Sequence, residues 1–242
     1  MRGPSLCLSV FFQLGLYEHQ SAGALQGVLN ILNKNPSLLS GEIAKIKIVA
    51  YQPAFGIIGD PSKRRPETRQ SADHSMVYIV SRLIKKAREV AKSAADGKLG
   101  ADNVSLWSSL MLLPIDYALS SIKDAETQSL MKLIEFEHGG KEYDDKYPEG
   151  IPTSVQITDA SGQVTDSGMI LFPAGHARYE DFAHVEQILK HKFDTLAALA
   201  LKVRTHSLTH SLTRGHASAI DSAATTVEGW IGGCRTCAVV DH

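Results

Sequence analysis

The feature that most constrains the fold is an amphipathic pattern over residues 73–92. Its apolar positions recur three and four residues apart, and they are Met76, Val77, Val80, Leu83, Ile84 and Ala87. Such a stripe predicts a helix with one buried face. Three cations (Lys85, Lys86 and Arg88) lie towards its C-terminal half, where the helix dipole favours positive charge. The pattern therefore predicts a long helix that packs against a core.

The start of this helix carries an unusual set of polar groups. Residues 68–78 read TRQSADHSMVY and contain Arg69, Asp73, His74 and Tyr78. The first turn of a helix has unpaired N–H groups and a partial positive charge, so it attracts anions. One interpretation is a site for a small carboxylate-bearing molecule. The other, more frequent for such spacing, is a solvated helix start capped by Ser71 or Asp73.

The rest of the chain interleaves helices and strands. Residues 42–51 alternate apolar side chains with Lys45 and Lys47, which predicts a strand with one wet face. A further strand is predicted at 133–137, and a hairpin at 154–158 and 163–172 around the turn 159–162. Other helices are predicted within 14–32, at 104–113, after a cap at Asp124, and at 181–201. We expect an α+β fold in which antiparallel strands pack on helices in two layers.

Composition excludes several classes of protein. The 242 residues carry a net charge of −1, whereas a nucleic-acid-binding domain normally has a basic excess. No apolar run is long enough to span a bilayer, so no membrane association is expected. Three cysteines do not make a disulfide framework, which favours a reducing compartment.

Both ends of the chain look atypical. Residues 203–242 contain the tetrad THSL twice in tandem and then lose any apolar period, so the fold is expected to end near Lys202. We predict a disordered tail at 203–242 and an atypical N-terminus at 1–12. Two cysteines and two histidines of this tail have the spacing of zinc ligands, namely Cys234, Cys237, His206 and His210. An isolated pair of this kind is a weak motif, and no metal site is predicted.

Six segments resemble the MmgE/PrpD family, in particular its fungal 2-methylcitrate dehydratase branch. They are QLGLYEHQSAGA (13–24), ETRQSADHSMVY (67–78), LWSSLMLLP (106–114), IEFEHGG (134–140), YPEGIPTS (147–154) and FPAGHAR (172–178). The resemblance implies a lyase of citrate-like tricarboxylates that uses no cofactor. The dehydratase eliminates water from 2-methylcitrate in propionate catabolism, and a sister branch decarboxylates cis-aconitate.

The resemblance also implies an architecture. Members of the family have a large all-helical domain and a smaller α+β lid, with the active site between them. Residues 13–202 resemble the lid portion, so we expect the helical domain to be missing and the isolated chain to have little or no activity. The full-length member would be a mitochondrial homodimer. No transit peptide is recognisable here, and a cytoplasmic location is the other expectation. A cis-aconitate decarboxylase-like member and a lid fragment that only binds a partner remain alternatives.

By the same resemblance, His19 and Tyr78 match a histidine and a tyrosine of the cleft. His74 and Asp73 stand in the same motif, and Arg69 is a carboxylate partner by its chemistry. An elimination needs a base for the proton alpha to a carboxylate and an acid for the leaving hydroxyl. We therefore predict catalytic His19, His74 and Tyr78, with Arg69 and Asp73 in substrate binding. Gln13 departs from the pattern, because relatives carry a lysine there.

Overall fold

The structure is a computed structural model and contains a four-stranded sheet and several helices. It describes residues 11–208 except 96, 98, 101 and 181–183, with side chains up to residue 201. The strands are β1 (Ile43–Ala50), β2 (Ile134–His138), β3 (Thr153–Asp159) and β4 (Val164–Asp166). The helices are α1 (Ala22–Lys34), α2 (Arg69–Asp73), α3 (Met76–Ser93), α4 (Asn103–Leu110), α5 (Leu119–Ile122), α6 (Ala125–Lys132), α7 (Lys141–Asp144) and α8 (Val185–Leu208). The mixture of elements confirms the α+β class.

The sheet is mixed, with strand order β2-β1-β3-β4. Strand β3 is antiparallel to both β1 and β4, as the hairpin pattern predicts. Strand β2 is instead parallel to β1, with Ile134 opposite Ile46. A parallel pair needs a long crossover, and the helical stretch from α2 to α6 supplies it. The expectation of antiparallel strands therefore holds for β3 and β4 and is wrong for β2.

Strand β1 has the predicted wet face. Lys45 forms an ion pair of 2.7 Å with Glu135. Two residues further along each strand, Lys47 pairs with Glu137. Ile46 and Ile48 point to the opposite side and are fully buried. The alternation in the sequence thus decides which face of the sheet meets the helices.

Helix α3 buries the whole apolar stripe that the sequence predicts. Its start is different, because residues 69–73 form the separate short helix α2, and α3 begins only at Met76. Thr68 caps α2 in a reciprocal pair with Ser71, while the Ser75 hydroxyl accepts from the Tyr78 N–H at the start of α3. Two side-chain N-caps within eight residues thus begin two separate helices. The prediction of one helix from residue 73 is wrong in this respect.

The last elements also differ from their predicted bounds. Strand β4 ends at Asp166, after which Gly168 adopts a φ of +69° and a single bridge joins Ile170 to Thr153. Helix α8 continues to Leu208, past the predicted boundary at Lys202. The predicted atypical residues 1–10 and the cysteine-containing tail from 209 lie outside the described residues. Among the helices that are described, none has the length and apolar character to cross a membrane.

Candidate functional site

A cavity of about 560 Å³ opens where four parts of the chain meet. Its wall is formed by residues 13–19, by α2 and its C-cap His74, by the 3₁₀ turn Pro114–Tyr117, and by α8. This volume is typical of a small-molecule site. Four predicted residues line the cavity, namely His19, Arg69, Asp73 and His74. The sequence did not predict the lining residues Glu18, Tyr117 and Lys192.

His19 begins a short 3₁₀ turn that Glu18 caps. The Glu18 carboxylate accepts from the Gln20 N–H at 2.7 Å and fixes the direction of the chain at this point. The ring of Phe11 packs edge-on against the imidazole, with centroids 4.4 Å apart. Partial burial lowers the pKa of His19, and the nearby Glu18 charge acts in the opposite direction. The lowered pKa favours the neutral imidazole, the form that can accept a proton, although the His19 side chain remains exposed.

His74 has the opposite electrostatic environment. Its Nδ1 hydrogen-bonds to the Asp73 carboxylate and lies 3.2 Å from the carbonyl oxygen of Gln70. Both partners are acceptors, so Nδ1 carries the proton. The hydrogen bond that His74 donates to the Asp73 carboxylate raises the pKa of His74, with burial acting the other way. His74 is thereby favoured in its charged form, which can donate a proton through Nε2.

Two basic side chains line the same cavity. Arg69 is the first residue of α2 and is exposed, and Lys192 reaches the cavity from α8. The Lys192 amine donates to the carbonyl oxygen of Gln13 at 2.6 Å, and burial lowers the pKa of Lys192. Within the described part of the chain, neither cation forms an ion pair. Positive charge is thus available to a carboxylate ligand.

Tyr78 does not line the cavity. Its side chain is fully buried, and its hydroxyl donates to the carbonyl oxygen of Asp116. Its ring lies 5.8 Å, centroid to centroid, from the ring of Tyr117, which does line the cavity. Burial raises the pKa of Tyr78, so the phenol stays protonated. The structure places Tyr78 behind the wall, as a support for it and not as a group at its surface.

The N-termini of α2 and α3 are not the free anion site that the sequence predicts. The first turn of α2 is capped by the Thr68 and Ser71 side chains, and Ser75 caps α3. The capping side chains occupy donors that the prediction left for a ligand. The charged groups of the cavity are therefore side chains, and the helix starts act by placing Arg69 and His74.

A buried ionic network supports the 3₁₀ turn. Asp116 is 1% exposed and accepts from Arg82 and from Lys86, each at 2.9 Å. Its second oxygen also accepts from the Leu113 N–H at 2.8 Å. A buried carboxylate with this many donors fixes its own backbone tightly. The network thus holds Pro114 and Tyr117 in the cavity wall.

The opposite wall is held by a close backbone contact. The Phe12 N–H donates to the carbonyl oxygen of Gly175 at 2.8 Å. Gly175 has a φ of +95°, and a Cβ there would lie 2.1 Å from the Phe12 carbonyl oxygen. Only glycine fits such an approach. The loop that contains Gly175 therefore positions the segment from Gln13 to His19.

Neither a scan of protein-family models nor a search of curated proteins gives a match for this chain. No group of three or more His, Cys, Asp or Glu side chains within the described residues is placed to hold a metal ion.

Proposed function

We propose that this chain is the α+β domain of a hydro-lyase of the MmgE/PrpD type that binds a citrate-like tricarboxylate, with 2-methylcitrate as the substrate. The observation that carries the proposal is the pair of histidines with opposite pKa shifts in one cavity. Groups whose environments separate their pKa values are typical of an acid and base pair. Arg69 and Lys192 add the charge that a polyanionic ligand needs.

The resembling segments support the proposal through their position. Residues 13–24 contribute Gln13 to His19, residues 67–78 contribute Arg69, Asp73 and His74, and residues 106–114 contribute Pro114 to the same cavity. Residues 172–178 hold the first of these segments through the contact between Phe12 and Gly175. Segments that lie far apart in the sequence thus meet around one ligand-sized space.

The geometry suits an elimination. Neutral His19 takes the proton from the carbon alpha to a carboxylate, and charged His74 gives a proton to the leaving hydroxyl. The C–H and C–O bonds break, a C=C bond forms and water leaves. His19 ends protonated, His74 ends neutral, and both exchange protons with solvent. Arg69 binds a carboxylate and stabilises the negative charge that develops beside it.

The exposure of the cavity limits the expected rate. The His74 side chain is 63% exposed, and Arg69 is also exposed. Water weakens electrostatic stabilisation at such a site. We therefore propose that a further protein surface covers the cavity in the active enzyme. The isolated chain should turn over well below about 1 per second, the lower end for ordinary enzymes.

Proton NMR of the product tests the proposal. Purified chain is incubated with 2-methylcitrate and, separately, with cis-aconitate, so that elimination and decarboxylation give different products. We expect slow formation of 2-methylaconitate, reduced about 100-fold in His19→Gln, since a positioned base contributes at least this much. His191→Gln, on an exposed histidine of α8, is the matched control and should keep the wild-type rate. Equal rates in wild type and His19→Gln would contradict the proposal, and decarboxylation of cis-aconitate alone would favour the sister activity.

A further inference from the structure

Lys192 occupies an apolar position of helix α8. Val185 and Ile188 are buried, and Leu189 packs against the core. Lys192 follows at the next inward position, seven residues after Val185 and four after Ile188. Residues at this spacing share one face of a helix. The helix therefore directs a cation to the place where its stripe predicts an apolar side chain.

This placement is costly for a lysine. Burial removes water from the ammonium group and lowers the pKa of Lys192. Its single hydrogen-bond partner among the described residues is the Gln13 carbonyl oxygen, a neutral acceptor. An ammonium has three donors, so the Lys192 amine keeps donors and an uncompensated charge at the cavity. A surface lysine would instead leave its charge in water.

Lys190, two residues earlier, provides that comparison. It is 73% exposed and pairs with Asp194 at 3.0 Å, one turn away on the outer face of the helix. Such an exposed pair contributes little. The two lysines thus belong to the same helix but differ in burial, in partner and in the surface that they reach.

We propose that Lys192 binds one carboxylate of the ligand and selects tricarboxylates over dicarboxylates, an inference that rests on the proposed function. Arg69 on α2 and Lys192 on α8 reach the cavity from two different elements, and His74 lines the same cavity. Two of these cations suffice for a dicarboxylate, whereas a third carboxylate needs Lys192. The Gln13 carbonyl holds the amine in position for this contact.

Calorimetric titration with citrate and with 3-hydroxyglutarate, which is citrate without its central carboxylate, tests the inference. The wild-type chain should prefer citrate. Lys192→Met should weaken citrate binding at least about tenfold, as for the loss of a charge-assisted hydrogen bond, and should bring the two affinities close together. Lys190→Met should bind both ligands as the wild type does. Citrate affinity of the wild type should also fall as pH rises, because Lys192 and His74 both lose their charge, and Lys192→Met should keep only the part of this loss that His74 contributes.

A second measurement separates binding from folding. Replacing a partly buried, poorly compensated charge by an apolar side chain relieves desolvation, so the midpoint of thermal unfolding of Lys192→Met should equal or exceed that of the wild type. Lower stability together with unchanged citrate affinity would show that Lys192 is only structural and overturn the inference.

The outcomes also separate the inference from the proposed function. Unchanged citrate binding in Lys192→Met, together with loss of elimination in His19→Gln, overturns the inference alone. Loss of citrate binding in Lys192→Met, together with equal measurable elimination rates in the wild type and His19→Gln, overturns the proposed function and leaves an anion site at Lys192. No citrate binding by the wild type overturns both.

Discussion

At the scale of single residues, the cavity depends on two imidazoles in contrasting surroundings. The Phe11 ring packs edge-on against His19, while Asp73 accepts a hydrogen bond from His74. The first contact disfavours charge and the second favours it. The cavity therefore combines one imidazole whose neutral form is favoured with another whose charged form is favoured.

Asp73→Asn tests the origin of this contrast. The amide removes the charge that raises the pKa of His74, so the imidazole should titrate at lower pH than in the wild type. In the wild type the raised pKa stabilises the fold below the unfolded-state pKa, and this contribution is lost as pH rises through the folded-state value. Histidine NMR titration measures the shift. The His19 resonance should keep its low pKa, and an unchanged His74 titration would contradict the assignment.

At the scale of elements, two supports place the cavity walls. The Asp116 network holds the 3₁₀ turn Pro114–Tyr117, and the contact between Phe12 and Gly175 holds the segment that leads to His19. Neither Asp116 nor Gly175 belongs to the lining of the cavity. Substitutions at these two residues should therefore affect ligand binding only by moving the residues that line the cavity.

Asp116→Asn should be strongly destabilising. The substitution leaves Lys86 without a counter-ion and Arg82 with only its longer contact to Glu89, and breaking a buried pair typically costs about 3–5 kcal/mol. Glu89→Gln is the matched control, because Glu89 pairs with Arg82 at the exposed rim of the same network. Its cost should stay below about 1 kcal/mol. Urea denaturation measures both, and equal costs would contradict the importance of the buried network.

Gly175→Ala should destabilise the chain and weaken citrate binding. Positive φ alone costs an L-residue about 1–2 kcal/mol, and the new Cβ would also clash with the Phe12 carbonyl. Gly162→Ala is the control, since Gly162 has a φ of +87° but open space around its Cα. The control carries the backbone cost without the clash. Equal loss of stability and of binding in both variants would show that the close approach has no role.

At the scale of the whole molecule, the sequence predicted what depends on local pattern. The buried stripe of α3, the wet face of β1 and the cap at Asp124 all follow from residues close together in the chain. The parallel pairing of β2 depends on a crossover of some eighty residues, which alternation cannot reveal.

The candidate site was likewise predictable where its residues lie close together in the sequence. His19, Arg69, Asp73 and His74 lie in two short motifs, and the structure brings all four together. Tyr78 lies on the buried face of α3. The prediction of a cleft role followed the resemblance, although the position of Tyr78 near the apolar stripe favours burial. Lys192 was missed because its role depends on α8 meeting residue 13, although a lysine in an apolar stripe was a usable signal.

A 2-methylcitrate titration followed by ¹H–¹⁵N NMR tests the central claim most directly. If the cavity binds the ligand, the amides that shift should cluster at residues 13–19, 69–74 and around 192, and Arg69→Gln should weaken the response. A second basic groove, which includes Arg65, Lys123 and Lys132, is the competing anion site on the same molecule. Shifts confined to that groove, or no shifts at all, would contradict a tricarboxylate site in the cavity.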